Sequence, residues 1–242
     1  MSFFDNAAAL GINLDAQALE RFAKYAEILA RRNEEMNLVA DASREIVETR
    51  HFLDSLALAA ALKAQGMDAP RLIDVGSGAG FPGLPTAIAM PAAKVTLLDS
   101  LGKRCTFLSE TVRELGLENV TVINARAEEA AKGELRGSFD AAASRAVAKL
   151  PMLCELTMPF LRKGGALYAM KSRHAGEELA AAASAISKLG GAKGPHPTFD
   201  YELPAFSGES EGMALSIFVI RKTGDTPAAY PRAFGAIKKK PL

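Results

Sequence analysis

Three glycines at alternate positions, Gly76, Gly78 and Gly80, begin two residues after an acid, Asp74. A second acid, Asp99, closes the next apolar run, Val95 to Leu98. Apolar run, glycine turn, helix, apolar run and acid form the front half of a site for a cofactor carrying a ribose. The glycines fit two registers. Gly78-x-Gly80-x-x-Gly83 satisfies the dinucleotide pattern of dehydrogenases, and Gly76-x-Gly78-x-Gly80 after Asp74 is the pattern expected of S-adenosylmethionine (SAM) binders. Position decides between them. A strand over 71–75 ends just before Gly76, so Gly76 makes the tight turn while Gly78 and Gly80 let backbone approach the ligand. Pro82 fits the first turn of the following helix, where a missing N–H costs nothing. A pyrophosphate needs its glycines around that helix N-terminus. SAM has no phosphate and wants an acid near its cationic methionine end, where Asp74 stands. The bland alternative is a tight turn that binds nothing.

In open α/β sheets ligands lie across the carboxyl ends of the strands, so the remaining site residues should collect there. Asp99 is placed to accept both ribose hydroxyls, in a nicotinamide cofactor or in SAM alike. Alternatively it caps a helix over 101–116, or leaves that task to Ser100. After a third strand, Asn124 to Glu129 can reach an adenine, with a side chain on its exocyclic amine and the backbone N–H of Ala127 or Glu128 on its ring nitrogens. The competing reading is a solvated helix start whose acids complement the dipole. After a fourth strand, Arg145 follows Ala141 to Ser144 and points at the reaction centre. Its guanidinium can clamp a carboxylate or a phosphate, or pair with Asp74 or another strand-end acid. The chain has no Asn/Asp-Pro-Pro-aromatic tetrad for gripping an exocyclic amine and no Pro-Cys pair for attack on a pyrimidine. A purine ring nitrogen such as guanine N7 already carries a free lone pair. It needs alignment with the sulfonium methyl rather than a general base, and Arg145 is the expected catalytic residue.

Positive charge flanks these positions. Lys103 and Arg104 beside Asp99, and Lys171 at the end of a fifth strand, can meet a phosphate backbone. Lys238 to Lys240 reads as an RNA contact or a solubilising terminus. Arg50, His51 and Asp54 share a face of a helix, as a solvated surface or packed on the main domain. Net charge is +1, so a nucleic-acid partner requires locally concentrated cations. Cys105 and Cys154 lie far apart on helices, which fits a reducing cytoplasm and a core role. With three scattered histidines besides, no metal is expected. Neither a membrane span nor a signal peptide is visible, so a cytoplasmic protein, expected to be monomeric, follows.

The 242 residues suit one α/β domain with an appendage, or two small domains. Residues 1–66 read as a helical cap. Leu19, Phe22, Ala23, Ala26, Leu29 and Ala30 recur at helical spacing behind a cap at Asn13 or Asp15, and a second helix spans 45–64. Residues 67–223 alternate strands near 71–75, 94–99, 119–124, 139–144 and 165–171 with helices near 82–90, 101–116, 149–161 and 175–190. A hairpin of strands at 197–203 and 215–221, joined by a loop rich in glycine and glutamate, closes the series. The prediction is an α/β fold: a mostly parallel seven-stranded Rossmann-like sheet of the methyltransferase type with helices on both faces. Residues 224–242 form a basic tail.

The runs Asp74-Val-Gly-Ser-Gly-Ala-Gly-Phe-Pro-Gly83, Leu98-Asp-Ser-Leu-Gly-Lys-Arg104, Ser144-Arg-Ala-Val-Ala148 and Tyr230-Pro-Arg232 resemble the glucose-inhibited division protein B family. Asn37-Leu38 and Arg50-His-Phe-Leu-Asp-Ser55 extend the resemblance into the helical region. It implies a class I SAM-dependent methyltransferase acting on N7 of a guanine in 16S ribosomal RNA near the decoding region, as naked RNA or in the small subunit. It also implies SAM contacts at Gly76, Phe81, Ala127, Glu128 and Arg145. Asp74, Gly78, Gly80 and Asp99 join them from the loop reading, and Arg232 joins Lys103, Arg104 and Lys171 as expected RNA contacts. Ile237 stands where the family usually shows proline. The rivals are an NAD(P)-dependent oxidoreductase using the second glycine register, and an assembly factor that holds RNA without transferring a methyl group.

Overall fold

The computed structural model describes residues 2–172, 176–205 and 211–242. Position 175, the first of the helix expected over 175–190, lies outside the described residues. So do 206–210, within the loop rich in glycine and glutamate. Seven strands form the sheet: β1 (Arg71–Val75), β2 (Lys94–Asp99), β3 (Val120–Asn124), β4 (Phe139–Arg145), β5 (Leu161–Ser172), β6 (Thr198–Leu203) and β7 (Met213–Arg221). Their order is β3-β2-β1-β4-β5-β7-β6, and β7 runs antiparallel to both of its neighbours. The chain therefore moves outward from β1 in one direction and resumes at β4 in the other. That reversal makes a crevice at the carboxyl ends of β1 and β4, where open α/β sheets bind ligands.

Alternation along each strand sorts side chains onto two faces. Leu72 and Leu97 join a core shared with the N-terminal helices, whereas Ile73, Val75 and Leu98 join the core of the opposite layer. The first layer holds α1 (Phe3–Ala9), α2 (Ala16–Met36), α3 (Arg44–Ile46), a π-helical turn (Val47–Phe52), α4 (Leu53–Ala64), α5 (Gly83–Ala89) and α6 (Gly102–Glu114). The short α7 (Ala127–Ala130), α8 (Leu150–Thr157) and α9 (Gly176–Lys188) follow, and α10 (Phe234–Lys239) ends the chain.

The helical region differs from its sequence reading in instructive ways. Asp15 caps α2, its Oδ1 accepting from Ala18 N at 2.7 Å, as the sequence suggested. Ser2 and Asp5 form a capping box that starts α1, a helix the periodicity did not reveal. The helix expected over 45–64 is interrupted by the π turn. Beyond it, Leu53 to Leu62 are all buried, as a helix apolar on every side requires. Phe22, Tyr25, Phe52 and Phe81 then pack in one aromatic cluster, so helices and sheet share a core.

Residues 224–242 are folded against the domain. Arg136 donates to the carbonyls of Thr226 at 2.7 Å and Tyr230 at 2.8 Å, and Ile237 is fully buried. The residue departing from the family pattern is thus an apolar anchor for α10. Among the described residues no helix is long and apolar enough to cross a membrane.

Candidate active site

A cleft of about 530 Å³ opens across the carboxyl ends of β1, β2, β3 and β4, within the usual range for small-molecule sites. Its floor is the turn after β1. Gly76 has φ +79° and Gly78 φ +58°, and a Cβ on Gly76 would lie 2.6 Å from Val147 Cγ2. These are the close approaches for which the turn requires glycine. Asp99, buried at the end of β2, accepts from Gly78 N and from Leu101 N, both at 2.9 Å. Each carboxylate oxygen keeps a further lone pair for a ribose hydroxyl. Neither Asp99 nor Ser100 caps α6, which begins after Leu101 with no side-chain cap. Ala127 and Glu128 line the far wall at the start of α7, where leading N–H groups have no partner within the helix.

Asp74 does not line the cleft. It is fully buried beneath the loop, where its Oδ2 accepts from Gly83 N at 3.0 Å and its Oδ1 has no partner among the described residues. The role expected for it at a cationic methionine end gives way to fastening the glycine loop to α5. A Cβ on Gly83 would come within 2.2 Å of Leu97 Cδ2 and 2.8 Å of Asp74 Oδ2, so this glycine serves helix–strand packing. Gly80 likewise packs inward, against Leu84 and Tyr25, rather than facing the cleft as expected. Two of the three glycines in the dinucleotide register therefore sit away from any pyrophosphate cradle.

Tyr25 of α2 is fully buried and donates its hydroxyl to Ala79 O at 2.5 Å, joining the helical region to the loop. Tyr25→Phe should lower stability by about 1–2 kcal/mol, because a buried carbonyl loses its donor. It should also weaken binding of S-adenosylhomocysteine, and calorimetric titration beside a chemical melt measures both.

Arg145, closing β4, is held by the helical region. Its Nη1 donates to Asp54 Oδ2 at 2.9 Å, its Nη2 lies 3.3 Å from His51 Nδ1, and its guanidinium carbon sits 4.9 Å from the Phe81 ring centroid. Asp54 accepts from Tyr201 on its other oxygen at 2.5 Å. The alternative of a pair with Asp74 or another strand-end acid is met by a different acid, Asp54, which comes from α4. His51 stacks on Phe81 with centroids 4.9 Å apart. The π turn sets the azimuth at which Arg50 and His51 leave the helix, and no periodicity argument could have supplied it.

Two buried groups give the fold a pH signature. Burial pushes Asp74 up to about 7 from 3.8. Burial, then the charge of Arg145, brings His51 down to about 4 from 6.5. A raised acid holds its proton in the native state across its window, so Asp74 makes stability fall as pH rises from 3.8 to about 7. A lowered histidine excludes a proton that the unfolded chain takes up, so His51 makes stability rise from pH 4 to 6.5. Each slope is at most about 1.4 kcal/mol per pH unit, and the two oppose one another. Relative to wild type, Asp74→Asn should tilt the stability profile upward with pH and His51→Phe should tilt it downward. Urea melts at intervals across that window test this, and tilts of the same sign would refute it.

Arg104 lines the cleft with its guanidinium 3.8 Å from Asp99, while Lys103 is exposed outside it. Lys171 donates to Ala148 O and Glu178 Oε2, both at 2.8 Å, and lines a neighbouring cavity. Arg232 is not brought to the cleft. It forms a bidentate pair with the fully buried Glu155 at 2.8 and 2.6 Å and anchors the tail, which corrects its expected place among the RNA contacts. Leu38, Val39 and Phe234 line the cleft without having been foreseen as site residues. Arg126 lies over Phe234, 5.8 Å from its centroid. Cys105 and Cys154 are buried, and the described residues contain no metal-binding cluster.

This sheet order, with the switch-point cleft and an acid at the end of β2, defines a class I SAM-dependent methyltransferase. A family model described as GidB, rRNA small subunit methyltransferase G, matches residues 18–201, and the chain belongs to that family. Proteins named ribosomal RNA small subunit methyltransferase G are similar to this chain over nearly its whole length. That of Leuconostoc citreum is 41% identical over 233 residues, covering 96% of this chain and 94% of its own. That of Lactococcus lactis subsp. lactis is 41% identical over 242 residues, covering 99% and 98%. The fold alone is shared with a Pyrococcus horikoshii protein provisionally described as an RNA methyltransferase. Its TM-score is 0.54 at 14% identity, covering 83% of this chain and 100% of that one.

Proposed function

We propose that this enzyme methylates N7 of a guanine in 16S ribosomal RNA near the decoding region, acting as a monomer in the cytoplasm. The observation carrying this reading is the placement of Arg145, fixed by Asp54, His51 and Phe81 at the mouth of the cleft. SAM supplies a methyl group on a sulfonium centre when bound. The chain's residues fit it: the turn at Gly76 and Gly78 lets the ligand lie on backbone, Asp99 takes the ribose hydroxyls, and Ala127 and Glu128 take the adenine. Arg145 orients the acceptor and screens RNA phosphate.

A general base is not required, since N7 presents a lone pair. The surroundings agree with that chemistry. His51 is held neutral above about pH 4 and is occupied by Arg145, and Asp74 is sealed under the loop. Arg104 and the exposed Lys103 and Arg126 supply the local positive charge that a net charge of +1 leaves to the rim.

The deciding experiment offers radiolabelled SAM with small subunits and 16S rRNA from cells lacking the enzyme, and separately with tRNA and bulk protein. Label should enter the ribosomal samples alone and map to one guanine N7. Label in tRNA or protein, or none in ribosomal RNA while SAM binds, would replace this reading with another substrate or an assembly role.

A further inference from the structure

Arg145 and Ala146 line a second cavity, of about 290 Å³, beside the cofactor cleft. Met170 and Leu215 give it apolar walls, and its charged groups are of mixed sign: the Arg145 guanidinium and Lys171 ammonium against the carboxylates of Asp54 and Glu178, of which Asp54 is already engaged on both oxygens by Arg145 and Tyr201. Glu178 is unevenly engaged. Its Oε2 accepts from Leu150 N at 3.0 Å and from Lys171 Nζ at 2.8 Å, while its Oε1 accepts nothing among the described residues. Partial burial lifts its pKa, but the bonds from Lys171 and Leu150 outweigh that lift and hold it below the ordinary carboxylate value. Glu178 lines the cavity as an ionised acceptor with Oε1 open.

A flat base with donors on one edge and acceptors on the other suits that arrangement. Guanine presents N1–H and an exocyclic amine on one edge and O6 with N7 on the other. A carboxylate oxygen with both lone pairs open, as Oε1 of Glu178 has, can accept the first pair, and cations suit O6. Adenine would turn the N1 lone pair toward the carboxylate and is repelled. Enzymes that act on bases read them through this edge after taking them out of the stack.

We propose that the second cavity takes the acceptor guanine, with Glu178 as the specificity-determining carboxylate that holds N1–H and the exocyclic amine and leaves N7 facing the cofactor cleft. The proposal rests on the guanine-N7 reading above and adds to it the pocket and the residue that choose the base.

The test uses the full chain and 16S rRNA ligated around a synthetic segment carrying guanine or inosine at the methylated position. Inosine keeps N7, O6 and N1–H and lacks only the amine. Wild type should methylate guanine faster by about tenfold or more, the size of a hydrogen bond to a charged group. Glu178→Gln should lower guanine more than inosine, which keeps only the N1–H contact, so that the two rates converge, while S-adenosylhomocysteine binding stays in place. A merely structural role would lower both bases alike and overturn the proposal, as would equal wild-type rates on the two. Leu215→Trp, which fills the cavity from its apolar side, should raise KM for RNA without altering S-adenosylhomocysteine affinity. An unchanged KM would likewise overturn it. Methylation of neither RNA by wild type would refute the guanine-N7 reading itself, a result distinct from methylation without base preference.

Discussion

Arg145→Ala is expected to reduce single-turnover methyl transfer by about 100-fold or more, the scale for losing an interaction of roughly 3 kcal/mol at the reacting centre. Binding of S-adenosylhomocysteine should change far less. The reason lies in what the guanidinium holds at once: Asp54 Oδ2 at 2.9 Å, Arg50 O at 3.4 Å, His51 at 3.3 Å and the face of Phe81. Alanine removes the cation from the cleft and leaves Asp54, whose side chain is only 10% exposed, with the Tyr201 hydroxyl but no countercharge from Arg145. Breaking a buried pair on one side costs about 3–5 kcal/mol, and the 19% exposure of Arg145 places this case at the lower end. Arg145→Lys keeps the charge and loses the planar fork, so it should recover stability more than rate. Asp54→Asn with Arg145→Ala removes both charges and should restore much of the stability without restoring transfer. That separation distinguishes a residue of the site from one that merely braces it. Transfer by Arg145→Ala within about threefold of wild type, which is under 1 kcal/mol, would remove Arg145 from the site.

The fold was legible where one period dominates. Strands β1 and β2 and the helix between them follow from an apolar run, a glycine turn and a second run, and their boundaries matched to within a residue. The site was legible in its types more than in its contacts. Asp99 and Arg145 stand where strand-end logic puts them, but the partner of Arg145 is Asp54, 91 positions earlier in the chain. Sequence spacing carries no information about that distance. Asp74 shows the converse: its type and position suggested a ligand contact, yet strand alternation and the packing of Gly83 turn its carboxylate under the loop. Arg232 was misassigned because a lone arginine in a basic tail looks the same whether solvated or paired. Its partner, Glu155, is a buried acid on α8 that periodicity alone assigns to an apolar face.

Gly80→Ala is expected to be the most damaging conservative substitution in the loop, lowering stability by about 3–5 kcal/mol from backbone strain and overpacking together. Gly80 has φ +103°, outside the ordinary left-handed well, so any side chain there is strained before contacts are considered. The added Cβ would then meet Leu84 Cδ1 at 2.5 Å and the Tyr25 hydroxyl at 2.6 Å. Both neighbours are fully buried and have no room to retreat, and displacing Tyr25 breaks its bond to Ala79 O. Gly116 provides the comparison, since it too has positive φ, +61°, but has nothing within 4 Å of a Cβ. Gly116→Ala should therefore cost only about 1 kcal/mol, the price of the left-handed conformation alone. For a chain of this size the two variants should separate by roughly 5–15 °C in Tm. Gly80→Ala should also bind S-adenosylhomocysteine more weakly, because Gly80 N bonds Ser77 O at 2.7 Å and so fixes the turn that carries Gly76 and Gly78. Equal Tm values would show that the loop relaxes around a methyl group. Tyr25 would then not clamp the turn, and the link from the helical region to the cofactor cleft would run through the Arg145–Asp54 pair and the packing of His51 on Phe81.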